Sequence, residues 1–171
     1  MATSTATPSV FQLSEIQLVR LKAINNSFLM SLHLFKNLPA AWFMGIKVKQ
    51  VTAERAEITL PYGWRSQNPF KSIYFAAQCA AGEFSTGILA MLALEGRGKV
   101  SMLVSHIETE FLKKATSKTT FTCEQGLEVF AAVEKAIQTK EPQILTMIST
   151  GVQETGEVVS IVKLTWSFKA K

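Results

Sequence analysis

The stretch from Ser72 to Leu94, SIYFAAQCAAGEFSTGILAMLAL, constrains this chain more than any other feature. It reads as one long helix of Ala, Gly, Ile, Leu, Phe and Met with a few small polar groups, and Glu83 is its only charged side chain. A helix that is apolar nearly all round belongs inside a protein. Ala76, Ala77, Ala80, Ala81, Gly82 and Gly87 let other backbone approach closely, and Gly96 and Gly98 close the helix. A carboxylate in such surroundings costs on the order of several kcal/mol unless it is paired, hydrogen-bonded or protonated. The same desolvation raises its pKa toward the range of a general base. Glu83 is therefore either a structural compromise or the centre of a site.

Around this helix the pattern alternates between two periods. Residues 1–9 read as a loose, disordered tail, and 10–171 as a single domain opened by a helical segment over 10–38. Within Phe11 to Lys36, Leu13, Ile16, Val19, Ile24 and Phe28 recur at near-helical spacing, Asn25-Asn26 offers a break, and Leu38-Pro39 ends the run. Two strands follow: Ile46 to Val51, with Ile46 and Val48 on one face, and Arg55 to Leu60, with Ala56, Ile58 and Leu60 inward. Pro61 to Pro69 is a loop rich in Gly, Pro and Asn. After the long helix come strands near Val100 to Leu112, Lys118 to Cys123, Ile144 to Gln153 and Val158 to Phe168, with a shorter helix at Leu127 to Gln138. In the last strand Val158, Val162, Leu164, Trp166 and Phe168 share a face, and Glu154-Thr155-Gly156 turns the final hairpin. An antiparallel sheet must cover its apolar face, and the Ala/Gly-rich helix is the one element large enough. The expected class is α+β, a curved sheet of at most six strands around one central helix. Its edge strands need a partner, so dimerisation through an edge is the expectation.

Composition excludes several functions. With 47% hydrophobic and 18% charged residues the chain is globular. The net charge of +5 is scattered, with small clusters only at Lys113-Lys114, Arg97 to Lys99 and Lys169 to Lys171, and no interleaved aromatics point to nucleic acid. Met1 to Ser9 lacks the pattern of a signal peptide, and the long apolar run, broken by Gln78, Glu83 and its glycines, is not expected to span a membrane. Cys79 and Cys123 make no disulfide framework, so a reducing cytoplasm is expected. Gly82 to Gly87 is not a nucleophile elbow, and Ile88-Leu89 stands where a P-loop needs Lys-Ser/Thr. Gly96-Arg97-Gly98 lacks the third glycine of a dinucleotide fingerprint. His33 and His106 stand far apart without ligand spacing, so neither metal nor cofactor is expected.

The order of elements and the residues at the helix start resemble the hotdog-fold acyl-CoA thioesterase superfamily, as a divergent branch of it. That superfamily carries an Asn in the loop before the helix, a G-T-x-H-G-G entry, and an Asp or Glu nine residues after the His. Here Asn68 opens N-P-F-K-S-I-Y-F-A-A-Q-C-A-A-G-E; Ser72 falls on the Thr, Tyr74 on the His, Phe75-Ala76 on the Gly pair and Glu83 on the acid. Phe111 to Ala115, FLKKA, looks like the superfamily's F-L-r-P-A strand end, with Lys114 in place of the proline. The resemblance spans Gly45 to Phe168. It implies a homodimer, or a dimer of such dimers, that hydrolyses an acyl thioester such as an acyl-CoA. Glu83 would be the base or nucleophile, Asn68 would orient, and a hydroxyl from Ser101 or Ser105 would assist. Tyr74 and the N–H groups of Phe75 and Ala76 would meet the acyl carbonyl, Trp64 would line an acyl tunnel, and Lys113 and Lys114 would face CoA phosphates. The replacement of His and both Gly residues keeps a second reading open: a non-catalytic module that binds a fatty acyl or CoA ester group.

Overall fold

The structure, a computed structural model, describes residues 11–171, so the tail expected at 1–9 lies outside it. Helix α1 (Glu15–Asn25) opens on a reciprocal cap, in which Ser14 Oγ accepts the Gln17 N–H and the Gln17 side chain accepts the Ser14 N–H. The break falls at Asn26, whose Oδ1 accepts the Leu29 N–H and starts α2 (Ser27–Asn37). Pro39 does more than stop this run: its fixed φ suits a first helical position, and it begins the short α3 (Pro39–Phe43). The apolar spacing read in this segment marks the buried side only in part. Gln17, Ile24, Met30 and Leu34 are buried, while Ile16, Val19 and Phe28 are exposed.

Strands β1 (Lys47–Val51), β2 (Ala56–Leu60), β3 (Val100–Phe111), β4 (Thr119–Cys123), β5 (Gln143–Gln153) and β6 (Val158–Ala170) form one antiparallel sheet in the order β1-β2-β4-β5-β6-β3. Alternation in β2 is as expected, with Ala56, Ile58 and Leu60 all in the core. In β6 the register shifts opposite Gly151/Val152. The shift turns Val158 outward and buries both Val159 and Ser160, which corrects the face assigned to Val158.

Helix α4 (Phe75–Leu94) lies across the sheet, three residues shorter at its start than the apolar run. Ser72 and Ile73 are held extended instead: Asn68 closes a turn on Ser72, and the Ile73 N–H donates to the Ala115 carbonyl. Helix α5 (Gly126–Thr139) shares the covering of the sheet, burying Val129, Phe130, Val133 and Ala136 beside α4, β5 and β6. By length and composition α4 would suit a bilayer, yet 72% of its apolar window is buried inside the fold.

Three contacts fix how α4 is rotated on the sheet. Gly82 meets β6 so closely that a Cβ there would stand 2.7 Å from Val162. Ser85 Oγ and Ser149 Oγ are 2.7 Å apart in the core, and Trp166 Nε1 donates to Thr86 Oγ1 at 3.0 Å. Glu83 lies about 200° round the helix from Ser85. The packing that buries Ser85 therefore turns the carboxylate toward the flank of the helix.

Candidate functional site

Two regions, one at the start of α4 and one on its flank near the middle, hold most of the residues singled out from the sequence. The first is a cleft of about 360 Å³ at the helix start, where Asn68, Phe75, Lys113 and Lys114 meet Gln78 and Phe111. The N–H groups of Phe75 and Ala76 have no hydrogen-bond partner among the described residues, and Tyr74 supplies no side-chain cap. Two open N–H groups on the positive end of a twenty-residue helix make a place where an oxyanion is stabilised.

Gln78 is the residue that sequence reading missed. It is only 4% exposed, its Nε2 donates to the Ile73 carbonyl at 3.2 Å, and its Oε1 is buried without a partner. The bond to Ile73 fixes which end is the amide nitrogen, so the cleft carries a buried, unused acceptor. In the sequence Gln78 looked like an interruption of an apolar run. Its position one turn after the helix start was the available signal.

Asn68 serves its own loop. Its Oδ1 accepts from the N–H groups of Phe70 and Ser72, and its Nδ2 donates to Ser72 Oγ at 3.1 Å. This Asx turn carries Lys71 at φ +58° and sets the rim of the cleft. Lys113 is paired with Glu157 at 2.5 Å, whereas Lys114 has no ion-pair partner among the described residues. The pair with Lys113 and bonds from Gln153 and Thr155 hold the Glu157 carboxyl below the usual carboxylate range.

The second region surrounds Glu83, half-buried farther along α4 and outside the cleft lining. Glu83 comes eight residues after Phe75, about 12 Å along the axis. Among the described residues its carboxylate makes no hydrogen bond or ion pair, and burial pushes its pKa above the ordinary carboxyl value. Glu83 Oε1 and the Trp166 ring flank Gly87, at 3.2 and 3.4 Å from where a Gly87 Cβ would stand. Cys79, one turn earlier on the same stripe, has its Sγ 3.4 Å from Thr109 Oγ1 of β3.

This stripe faces an uncovered part of the sheet. Ile107, Thr109 and Phe111 pair with Leu164, Val162 and Ser160, so they share the core side of the sheet. The three partners are fully buried, yet Ile107 is 46% and Phe111 47% exposed. Strand β3 is an edge and extends beyond the cover that α4 provides. Ser101 and Ser105 lie on this edge, both exposed, with their hydroxyls donating to Lys169 O and Thr165 O. Ser105 is the extra residue of a bulge between Val104 and His106, a place where strands re-aim side chains. His106 is exposed on the outer face opposite Thr165 and away from α4. Tyr74 is exposed beside the cleft, its ring 4.8 Å from Phe75. Trp64 stands outside both regions, exposed and packed edge-on against Phe43. Among the described residues no three His, Cys, Asp or Glu side chains gather.

A six-stranded antiparallel sheet curled on one long helix, with open N–H groups at the helix start and an acid on its flank, is the hotdog fold. The chain belongs to the family described as domain of unknown function DUF4442, whose model matches residues 27–167. Among solved structures, a protein of unknown function from Pseudomonas aeruginosa, described as a probable thioesterase, aligns with TM-score 0.72 and 15% identity over 83% of this chain and 95% of its own. A protein of unknown function from Chlorobaculum tepidum aligns with TM-score 0.72 and 11% identity over 85% of this chain and 97% of its own. A thioesterase from Haemophilus influenzae gives 0.63 and 18% over 81% and 88%. At these identities the likeness is one of fold. No curated protein matches the chain.

Proposed function

We propose that two copies of this chain join along β3 and hydrolyse an acyl thioester, such as an acyl-CoA, at the shared boundary. The carrying observation is the Glu83 carboxylate, which is half-buried, unpaired, raised in pKa, and turned toward sheet surface that the chain itself leaves bare. An edge-to-edge dimer would cover Ile107 and Phe111. It would also bring Glu83 of one protomer toward the α4 start of its partner, closing the gap between the two regions.

In this arrangement Glu83 takes a proton from water as the water oxygen bonds to the thioester carbon. The oxyanion accepts from the Phe75 and Ala76 N–H groups. It then collapses, the C–S bond breaks, and the thiolate leaves with the proton held by Glu83, giving a carboxylic acid and a thiol. Direct attack by Glu83, followed by hydrolysis of the anhydride, balances equally. Ser105, at its bulge, is the candidate assisting hydroxyl, since Ser101 pairs with Lys169 on the outer face of the sheet, away from α4. Asn68 acts by shaping the cleft rim. Tyr74 and Phe75 frame the acyl entrance, and Lys114, with Lys113, offers charge to carrier phosphates. A reducing, cytoplasmic setting fits the two free thiols Cys79 and Cys123.

A non-catalytic acyl-binding module is the second reading, favoured by the complete use of the Asn68 amide within its own loop. Hydrolysis of a panel of acyl-CoAs by the wild type and Glu83→Gln separates the two. Catalysis predicts a loss of about 10²–10⁴-fold in kcat with ligand binding kept. Binding without turnover by the wild type selects the module.

A further inference from the structure

Helix α2 has two apolar sides. Met30 and Leu34 face the core, while Phe28, Leu32 and Phe35, spaced four and three residues apart, form a second stripe on the opposite side. Phe28 is 75% and Trp64 79% exposed, and Leu32, Phe35, Trp42 and Phe43 are exposed as well. Several of them pack in pairs along α2, α3 and the loop after β2. Phe35 and Trp42 rings lie 5.0 Å apart, the Trp42 indole donates to Ser31 Oγ, and Phe43 meets Trp64 at 6.1 Å. Beneath them runs an apolar groove of about 440 Å³ between α2 and β1, lined by Phe28, Leu34, Trp42 and Ile46 and bordered by Lys47 and Arg65.

The charge on this face has one sign. Residues 26–53 and the loop 61–70 contain no Asp or Glu, and they contribute Lys36, Lys47, Lys49 and Arg65. Of these, Lys49 is occupied by Glu57. A two-fold contact would set this patch against itself, cation against cation with no acid to answer. The face is also formed beside β1, the sheet edge opposite β3, so the dimer edge does not cover it. Exposed aromatics with ring N–H groups, aliphatic side chains and unanswered cations match a membrane interface, where rings enter the headgroup level and cations meet anionic lipid.

We propose that the α2–α3 face, with Trp64 and Arg65 of the neighbouring loop, docks on the surface of an anionic lipid bilayer. The test is co-sedimentation of the full chain with vesicles of phosphatidylglycerol and phosphatidylcholine, against vesicles of phosphatidylcholine alone. Binding is expected to the anionic vesicles and to weaken with salt. Lys47→Gln and Arg65→Gln should each reduce it about fivefold. Phe28→Ser with Trp64→Ala should abolish it, with far-UV circular dichroism unchanged as evidence of an intact fold. No binding to anionic vesicles, or binding that none of these substitutions alters, overturns the proposal. So does a fall in oligomer mass on Phe28→Ser and Phe35→Ser without vesicle binding, which would make the face a contact between copies. Thioester hydrolysis in solution reads the Glu83 site separately, so either assignment can fail while the other stands.

Discussion

Glu83 and Gln78 put unsatisfied polar groups on the same helix for different reasons. Burial raises the Glu83 pKa above its unfolded value, so the protonated form favours the fold. The stabilisation linked to that proton is complete below the ordinary carboxyl pKa of 4.5 and is lost as pH rises through the raised value. Glu83→Gln is therefore expected to match the wild type in acid and to melt at a higher temperature than it at neutral pH. Equal melting temperatures across that range would mean that the carboxylate is already paired in the assembled protein. Gln78 differs because half of its amide is used. Gln78→Met keeps the volume, loses the bond to Ile73 O, and removes the buried unpaired Oε1. These changes offset, so stability should move by no more than about 1 kcal/mol. A ligand that donates to Oε1 should bind at least about tenfold more weakly, since that bond forms only in the complex. Calorimetric titration with an acyl-CoA reads this directly, and unchanged affinity would make Gln78 a structural residue.

At the scale of elements, the hold of α4 on the sheet depends on the missing side chain at Gly82. A methyl there would enter the Val162 side chain at 2.7 Å. Gly82→Ala should cost about 1–3 kcal/mol in denaturant unfolding. Combining it with Val162→Ala should cost less than the sum of the two single changes, because the second makes room for the first. Additive costs would mean that α4 shifts as a body instead. Contacts of this kind explain what the sequence made legible. Ala and Gly through the centre of one long apolar run foretold a buried helix under close backbone, and alternation at Ala56, Ile58 and Leu60 foretold the inner face of β2. Local composition could not show the bulge that turned Val158 outward, because register is set by the partner strand. Nor could it show that Asn68 would hold Ser72 out of the helix, or that Gln78 Oε1 would be left unpaired. In α1 and α2 apolar spacing misled about burial at Ile16, Val19 and Phe28, which face outward.

At the scale of the whole molecule, two apolar surfaces lie at opposite edges of one sheet, and their chemistry differs. The β1 end is basic and aromatic. The β3 end carries both signs on its outer face, where Lys163 bridges Glu108 and Glu110, and bare apolar side chains on its inner face at Ile107 and Phe111. A strand edge with unpaired backbone groups and an uncovered apolar side is suited to a second copy of itself, since antiparallel pairing satisfies both at once. Ile107→Lys places a charge at the centre of that surface while leaving the buried partner Leu164 in place. The substituted residue is already 46% exposed, so the isolated fold should lose less than about 1 kcal/mol. Light scattering should then return a monomer where the wild type gives a dimer, with circular dichroism unchanged. If the reacting groups come from two protomers, thioester hydrolysis should vanish with the dimer. It should return when Ile107→Lys chains are mixed with Ile107→Glu chains, whose opposite charges face each other across the same edge. A monomeric Ile107→Lys protein that hydrolyses thioester at the wild-type rate would place the whole reaction within one chain, and Glu83 would then lie too far from the cleft to be its base.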